Sequence, residues 1–333
     1  MRFEPKVLCS PLLLALVASV ALAAAATPAG ADEPLTRVVL NGTPVAVFFN
    51  DGDTFRIKSG PMKGTSARLA GFNTLESYGP VHVWGDWTVK EMYFLAKIAT
   101  LNARRGSWTC ESDGARDTYG RLLAWCPDLA EDQIRKGLAH AMTITDDPAD
   151  PRLLAAQHEA IEARRGMWSH GVPAFVLTSL HSVEEDTSGR GTYNRLVSSE
   201  DGHSVPWRHE DHYDECAKIC HLVYPVDQAK VAAVAAELQA ASAGGTEAAG
   251  GGEAQAALSA LDPAARTALL REYAQFRHIG RQVPVEVRPA VKALLDGYAA
   301  AGRFGAGEPE PGACMVYVDF KRRFGRGRAT CLK

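Results

Sequence analysis

Acidic and basic residues in the first half of the chain recur in short stretches whose side chains suit phosphoryl chemistry. These stretches are Asp51-Gly52-Asp53-Thr54, Arg68 followed by Asn73-Thr74-Leu75-Glu76, Tyr119-Gly120-Arg121, and Gly166-Met167-Trp168. Hydrolysis of a phosphodiester requires a neutralised phosphate, a water aimed at phosphorus and stabilisation of the negative charge that develops. Carboxylates and guanidinium groups can meet these needs together.

Taken in order, the stretches resemble the thermonuclease (staphylococcal nuclease) family over roughly residues 36–170. That family combines a DGDT-type turn, an Arg five residues before an Asp-Thr-Pro-Glu-like stretch, and an Arg in a Tyr-Gly-Arg segment. The resemblance implies a secreted, Ca²⁺-dependent endonuclease that hydrolyses DNA and RNA by in-line attack of water.

The resemblance also implies a role for each site residue. One Ca²⁺ ion would be bound by Asp53, by Asn73 and by the backbone carbonyl of Thr74. Asp51 would orient water on that ion. The catalytic residues would be Glu76, which holds or deprotonates the attacking water, and the phosphate-binding pair Arg68 and Arg121. Planar guanidinium groups suit phosphate oxygens better than lysine does.

Several positions depart from the family pattern. Asn73 stands where the family has a metal-binding aspartate, and fewer anionic ligands mean weaker Ca²⁺ binding. Leu75 replaces a proline and Thr118 a lysine. Thr143 and Thr145 stand where tyrosines pack against the nucleotide in the family. An alternative function therefore stays open, an OB-type module that has weak or no turnover and binds nucleic acid or another partner.

Hydrophobic alternation predicts three strands within residues 37–73, a helix over 85–101, a hairpin over 110–126 and helices over 128–138 and 151–167. This order is typical of a five-stranded OB-type β-barrel with packed helices, an α+β fold. The family resemblance implies the same fold. At 333 residues the chain exceeds one average domain.

Beyond this domain, residues 171–195 lose periodicity and are predicted to be a linker. Residues 196–333 are predicted to be a mainly helical, disulfide-containing region with helices over 227–241, 262–277 and 285–301, a flexible break over 244–252 and a terminal hairpin. No known family is identified in this region, and no protein partner can be inferred.

The first residues carry the pattern of a secretory signal. Arg2 and Lys6 precede an apolar run over 11–26, and small residues lead up to Ala31. We expect residues 1–31 to be removed near Ala31 and the protein to be secreted or periplasmic. A retained membrane anchor is the weaker alternative because the apolar run is shorter than the roughly 20 residues of a span. We expect no anchor in the mature chain.

Six cysteines follow this segment, which in an exported chain indicates disulfides. Cys110 and Cys126 end two strand-like stretches and should face each other across one hairpin. Cys216 and Cys220 are expected to pair with Cys314 and Cys331. The competing interpretation is a zinc site formed by His and Cys residues between positions 207 and 221.

Charge does not favour nucleic-acid binding by the first domain, since residues 32–170 hold 16 Lys or Arg against 18 Asp or Glu. The last 13 residues are different, with six basic residues and no acid. This basic tail is a candidate contact with nucleic acid or an anionic surface. Its candidate residues are Lys321, Arg322, Arg323, Arg326 and Arg328.

Overall fold

Strands and helices alternate along the part of the chain that the computed structural model describes, which is residues 35–186, 192–244, 252–280, 282–319 and 329–333. The predicted signal segment and the basic residues 321–328 lie outside these ranges. Fourteen strands and seven α-helices lie inside them, so the fold is mixed α+β. The described residues between Leu35 and Lys333 form one compact unit.

A curled half-barrel sheet holds the N-terminal part together. Its strands are β1 (Thr36–Leu40), β2 (Thr43–Asp51), β3 (Thr54–Ile57), β4 (Ser66–Leu69), β7 (Trp108–Cys110) and β8 (Leu122–Ala124), arranged in the order β7-β1-β2-β3-β4-β8. The edge strands β7 and β8 are joined by backbone hydrogen bonds between Glu111 and Trp125, of 2.8 and 2.7 Å. The Cys110–Cys126 disulfide, expected from the sequence, lies beside them.

The sheet has six strands rather than the predicted five. Three strands are predicted within residues 37–73, but a two-residue turn divides the first of them into β1 and β2. Asn41 and Gly42 both adopt positive φ, 49° and 78°, which is the backbone that a tight hairpin requires. Every second residue of the flanking strands then faces the interior of the half-barrel, and these residues are Val38, Leu40, Val45, Val47 and Phe49.

Helices cover the open sides of the half-barrel. They are α1 (Val89–Arg105), α2 (Pro127–Arg135) and α3 (Pro151–Glu162). Helix α1 starts later than predicted because Thr88 caps it, with Glu91 completing a capping box. Its buried face includes Met92, Ala96 and Ala99, while Ile98 is 48% exposed.

Helix α3 ends at Glu162 and not near Met167 as predicted. Arg164 adopts φ 49° and reverses the chain, and a short 3-10 turn follows at Gly166–Trp168. Gly137 lies so close to this turn that an added Cβ would lie 2.1 Å from the Arg165 carbonyl oxygen. Because Gly137 and Gly166 have no side chain, the backbone that follows α2 can lie in contact with the backbone of the 3-10 turn.

Part of the region predicted to be a linker forms β-strands. Strand β10 (Phe175–Ser179) pairs with β11 (Thr192–Ser198), which pairs with β12 (Ser204–His209) in a three-stranded sheet. The linker prediction over 171–195 fails because Phe175, Val176 and Leu177 are a buried apolar run. Residues 187–191 of that stretch lie outside the described part of the chain.

One further pairing lies within the N-terminal part, and a second ties the C-terminal region to it. Strand β5 (Phe72–Thr74) pairs with β9 (Ala139–Ala141). Strand β14 (Glu310–Val316) lies between β13 (Lys218–Val223) and β6 (Val81–Val83). The expected terminal hairpin is therefore a three-stranded sheet instead, and the C-terminal region is less purely helical than predicted.

The predicted C-terminal helices are present, and one more lies between them. They are α4 (Gln228–Gly244), α5 (Gly252–Ala260), α6 (Pro263–Phe276) and α7 (Arg288–Ala300). The additional helix, α5, begins where the flexible break was expected to end. In the described ranges, no helix is both long and apolar enough to cross a membrane.

The four C-terminal cysteines form the disulfides Cys216–Cys331 and Cys220–Cys314. This is the pairing between the two cysteine groups that the sequence predicts. The second bridge joins directly opposite residues of β13 and β14. Because these thiols are consumed, the zinc interpretation of the 207–221 segment is wrong.

Two buried histidines predict how stability changes with pH. Burial, with the nearby His140, lowers the pKa of His82 to about 3, and burial lowers the pKa of His140 to about 4. In the unfolded chain both take up protons below about pH 6.5. The folded pKa values are depressed, so the free energy of unfolding should fall as pH drops from about 6.5 towards 4. The slope should reach about 1.4 kcal/mol per pH unit for each histidine.

Urea unfolding at several pH values between about 7 and 5 measures this slope. A His140→Gln variant should flatten it, whereas His158→Gln, which changes an exposed histidine, should leave it unchanged. Equal slopes for the native chain and His140→Gln would contradict the prediction.

Candidate active site

The Asp-Gly turn between β2 and β3 is shaped by a close approach of two backbone segments. A Cβ added to Gly52 would lie 2.5 Å from the Thr74 Cγ2 atom. The Gln133 side chain donates to the Gly52 carbonyl at 3.4 Å and to the Ala99 carbonyl at 2.8 Å. Gly52 is not among the glycines with positive φ. Glycine is needed here for space, and this lets β5 pack against the turn.

Asp53 is buried, and both oxygens of its carboxylate are used. Its Oδ2 accepts hydrogen bonds from the Thr74 backbone N–H at 2.8 Å and from the Thr74 hydroxyl at 3.0 Å. Its Oδ1 accepts from the Thr54 hydroxyl at 3.1 Å and forms an ion pair with Arg68. The side chain of Asp53 is 4% exposed and that of Arg68 is 17% exposed. Asp53 thus holds three strands at one point.

Arg68 reaches this point from β4, where it lies opposite Thr54 of β3. Its Nη1 contacts Asp53, and its Nη2 donates to the Asn73 side-chain oxygen. The Asn73 amide in turn donates to the Thr74 carbonyl at 2.8 Å. The guanidinium group therefore bridges Asp53 and Asn73, which the sequence predicted to bind the same metal ion.

Two more carboxyl groups, those of Asp51 and Glu76, lie near the ion pair between Asp53 and Arg68. Burial raises the pKa of Asp51 well above its usual value, and the charges of Asp53 and Glu76 raise it further. Burial alone would also raise the pKa of Asp53, but Arg68 and the Thr74 N–H outweigh it and lower that pKa. Three carboxyl groups therefore lie near one guanidinium group, and their negative charge exceeds its positive charge when all three are ionised.

Glu76 lies at the start of the loop after β5, and its backbone is tied to a buried histidine. The Glu76 N–H donates to His82 Nδ1 at 3.3 Å. His82 belongs to β6, where it pairs with Met315 of β14. His140 on β9 lies opposite Asn73, and its pKa responds to the charges of Asp53 and Arg68.

Sequence reasoning missed His82, His140 and Gln133 as supports of the site. Each of these side chains is buried and lies against the segments that carry Gly52, Asn73 and Glu76. Their residue types and spacing show no recognisable motif. Only tertiary packing brings them to the site: His140 through the pairing of β9 with β5, Gln133 from helix α2, and His82 from β6.

Arg121 lies at a different point, just before β8. Its Nε donates to Asp117 Oδ2 at 2.6 Å, and its side chain is 33% exposed. The Asp117 carboxylate also accepts the backbone N–H groups of Tyr119 and Arg121 at 3.0 and 2.9 Å. Since β8 runs parallel to β4, with Leu123 opposite Arg68, alternation puts Arg121 and Arg68 on the same sheet face.

The positions where the family has nucleotide-packing tyrosines are used for a backbone connection here. The Thr143 N–H donates to the Gly202 carbonyl at 2.9 Å, and the Ser204 N–H donates to the Thr145 carbonyl at 3.0 Å. The turn between β11 and β12 therefore lies directly against this segment.

The donor set near Asp53 suits a hard divalent cation in its chemistry. Asp53, Asp51 and Glu76 supply carboxylates, Asn73 supplies an amide oxygen and Thr74 a carbonyl oxygen, which are the ligand types that Ca²⁺ prefers. Within the described ranges, no group of three or more His, Cys, Asp or Glu residues is arranged to hold a metal ion. A cation would have to share Asp53 and Asn73 with Arg68.

Comparison with known proteins identifies the N-terminal part. Residues 66–170 match a family model described as "Staphylococcal nuclease homologue". The match includes Arg68, Asn73, Glu76 and Arg121, and it begins after Asp51 and Asp53. No curated protein matches the chain significantly.

Removing the guanidinium group tests how far the cluster supports the fold. Arg68→Ala leaves Asp53 buried without its cation, so the free energy of unfolding should fall by about 3–5 kcal/mol in urea titrations. Arg121→Ala, which removes a half-exposed ion pair, should cost no more than about 1 kcal/mol. Similar small losses in both variants would show that Arg68 is not a structural countercharge.

Proposed function

We propose that this chain, which carries a staphylococcal nuclease homologue domain, is an exported nuclease that hydrolyses phosphodiester bonds in DNA and RNA. The observation that carries the proposal is the charged cluster of Asp51, Asp53, Glu76 and Arg68, in which Asp53 is buried and the other three side chains are partly buried. Burying several charges together costs free energy, and clusters with strongly perturbed pKa values concentrate at functional sites.

The two arginines would bind the scissile phosphate. A guanidinium group has five N–H donors. Arg68 uses one on Nη1 and one on Nη2 for Asp53 and Asn73, so donors remain for a phosphate oxygen. Arg121 is held through Nε by Asp117, so its two terminal amino groups can bind phosphate. Fixed donors of this kind stabilise the charge that develops in the transition state.

Glu76 would hold the attacking water and accept its proton. Its backbone is anchored to His82, and its charge acts on Asp51, so the carboxylate belongs to the cluster. A carboxylate at this place can aim a water at the phosphorus atom opposite the leaving oxygen. Asp51 lies near Asp53 and Glu76 and would orient water on that side.

Ca²⁺ is the cofactor that we propose for this site. Asp53, Asn73 and the Thr74 carbonyl would hold it, and the excess negative charge around Arg68 favours a divalent cation. A bound Ca²⁺ would neutralise phosphate charge and orient the water nucleophile. Because Asn73 is neutral and Arg68 shares its oxygen atom, we expect weak binding of the ion.

A second candidate function is a binding module without turnover. The ion pair between Arg68 and Asp53, with Asn73 as a neutral neighbour, supports it because a guanidinium group already supplies positive charge where a metal would. Such a module would bind nucleic acid without Ca²⁺ and release it as salt concentration rises.

Export is supported by the three disulfides of the described structure. Disulfides persist in oxidising compartments and are rare in the cytosol. Together with the signal-like N-terminal sequence, they support a secreted or periplasmic protein. The basic tail at 321–328 stays a prediction as a further nucleic-acid contact.

Two substitutions test the catalytic roles. Glu76→Gln and Arg121→Ala should each lower the turnover of single-stranded DNA by about 100-fold or more, because each removes a group that acts on the transition state. Urea unfolding checks that both variants stay folded, and Arg37→Ala, an exposed change on β1, should cut at the native rate. Full turnover in either site variant would refute the assigned roles.

Replacing Asn73 tests the cofactor and separates the two functions. We expect native residues 32–333 to cut single-stranded DNA with Ca²⁺ and not with chelator. Asn73→Asp adds an anionic ligand and should tighten Ca²⁺ binding about tenfold or more, measured by calorimetric titration. No cutting by the native chain but activity in Asn73→Asp would move the function to binding. Cutting that persists in chelator would exclude the Ca²⁺ proposal.

A further inference from the structure

A cleft of about 840 Å³ opens between the C-terminal region and the hairpin that carries Arg121. Strands β11 and β12, helix α6, the start of α7 and the segment containing Thr118 line it. Its volume lies within the range of about 300–1,000 Å³ for ligand sites. Neither the family match nor the proposed catalytic residues account for this cleft, and they leave it without a function.

Four guanidinium groups from different elements converge on the cleft. They belong to Arg195, Arg208, Arg271 and Arg288. Arg208 lies opposite Tyr193 and Arg195 opposite Pro206, so alternation places all four of those β-residues on one face of the sheet. The other two arginines approach from α6 and from the first residue of α7.

Three of these arginines bind only neutral groups in the described part of the chain. Arg195 donates to the Ser204 hydroxyl at 2.7 Å, Arg271 to the Gln228 side chain at 3.2 Å and Arg288 to the Val283 carbonyl at 2.9 Å. Arg288 also lies at a helix N-terminus, where a positive charge is unfavourable. Such arginines keep N–H donors that an anionic ligand can use.

The acids that line the cleft are largely engaged with histidines. Asp201 contacts His203 at 2.5 Å, and Glu272 contacts His278 at 2.6 Å. Asp146 is the third acid of the lining. With neutral histidines the cleft carries four positive and three negative charges, whereas the whole chain has a net charge of −3. The cleft is therefore locally basic on an acidic protein.

The cleft continues the proposed phosphate-binding surface. The Arg121 guanidinium lies over the Tyr119 ring, 5.4 Å from its centroid. Burial and then the Tyr193 hydroxyl raise the pKa of Tyr119, so the two tyrosines lie close together. Arg195 lies over the Tyr193 ring at 5.6 Å. A nucleic-acid strand bound at Arg121 would therefore reach Tyr193 and Arg195 next.

We propose that this cleft binds the stretch of single-stranded nucleic acid that adjoins the scissile phosphate, an inference that rests on the proposed function. The arginines would bind successive phosphates, and Tyr193 offers an aromatic ring beside them for a base. Phosphate-binding guanidinium groups combined with an aromatic ring are the usual means of binding a single strand without sequence preference.

Binding of a fluorescein-labelled oligothymidine of about 12 nucleotides, measured by anisotropy in chelator, tests this site. We expect Arg271→Gln combined with Arg288→Gln to raise Kd about tenfold. Between about 50 and 200 mM salt, the slope of log K against log salt should shrink by about 1.4, which is about 0.7 for each lost phosphate contact. Arg271→Gln alone, at an exposed position, should have about half of each effect on a logarithmic scale.

The control is Arg37→Gln, an exposed arginine outside the cleft, which should bind as the native chain does. Unchanged affinity and slope in the double variant, no binding by the native chain at low salt, or equal affinity for a duplex of the same length would each overturn the proposal. Cutting assays separate it from the proposed function. Native cutting with unchanged binding in the double variant refutes the cleft alone, whereas binding that depends on these arginines without any cutting refutes the nuclease alone.

Discussion

The ion pair between Asp53 and Arg68 is the constraint around which the N-terminal part is organised. A buried carboxylate is tolerated only when hydrogen bonds and an opposite charge compensate its lost hydration. Asp53 obtains these partners from Thr54, Thr74 and Arg68, which belong to β3, β5 and β4. The three strands must therefore meet at the Asp-Gly turn, and Gly52 gives β5 the space to do so.

Arg68 and the side-chain oxygens of Asp53 and Asn73 have both a structural role and a proposed catalytic role. Arg68 neutralises Asp53 and bonds Asn73, yet the proposed reaction asks it to bind phosphate and to share these oxygens with a cation. An aspartate at position 73 would add negative charge for that cation. With asparagine there, the balance shifts towards the internal guanidinium group, so we propose that the charge at residue 73 separates a metal-dependent enzyme from a binding module.

The C-terminal region contributes to this site through the backbone. Strand β14 pairs with β6, and His82 on β6 accepts a hydrogen bond from the Glu76 backbone. The turn before β12 lies against Thr143 and Thr145. These connections place the arginine-lined cleft next to the hairpin of Arg121. The C-terminal region thereby supports the segment that carries Glu76 and, under our proposal, extends the surface that binds a nucleic-acid strand.

Local patterns in the sequence determined the parts of this protein that depend on near neighbours. Hydrophobic periodicity predicts most strands and helices of the N-terminal part, and the resemblance to the thermonuclease family points to Asp53, Arg68 and Glu76 as site candidates. The even number of cysteines after a signal-like segment predicts disulfides, because thiols are oxidised in the compartments that such signals lead to. These features are readable because each depends on a residue type at a short, regular spacing.

Tertiary structure alone decided the contacts between distant segments. The expected linker forms strand in part because Phe175, Val176 and Leu177 are buried, whereas the Asn41–Gly42 turn that adds a sixth strand is a local hairpin signal that the sequence prediction overlooked. The pairing of Arg68 with Asn73, the support from His82 and His140, and the cleft beside Arg121 all depend on strand register. Register is set by the packing of the whole chain, so no local pattern of residues could predict these contacts.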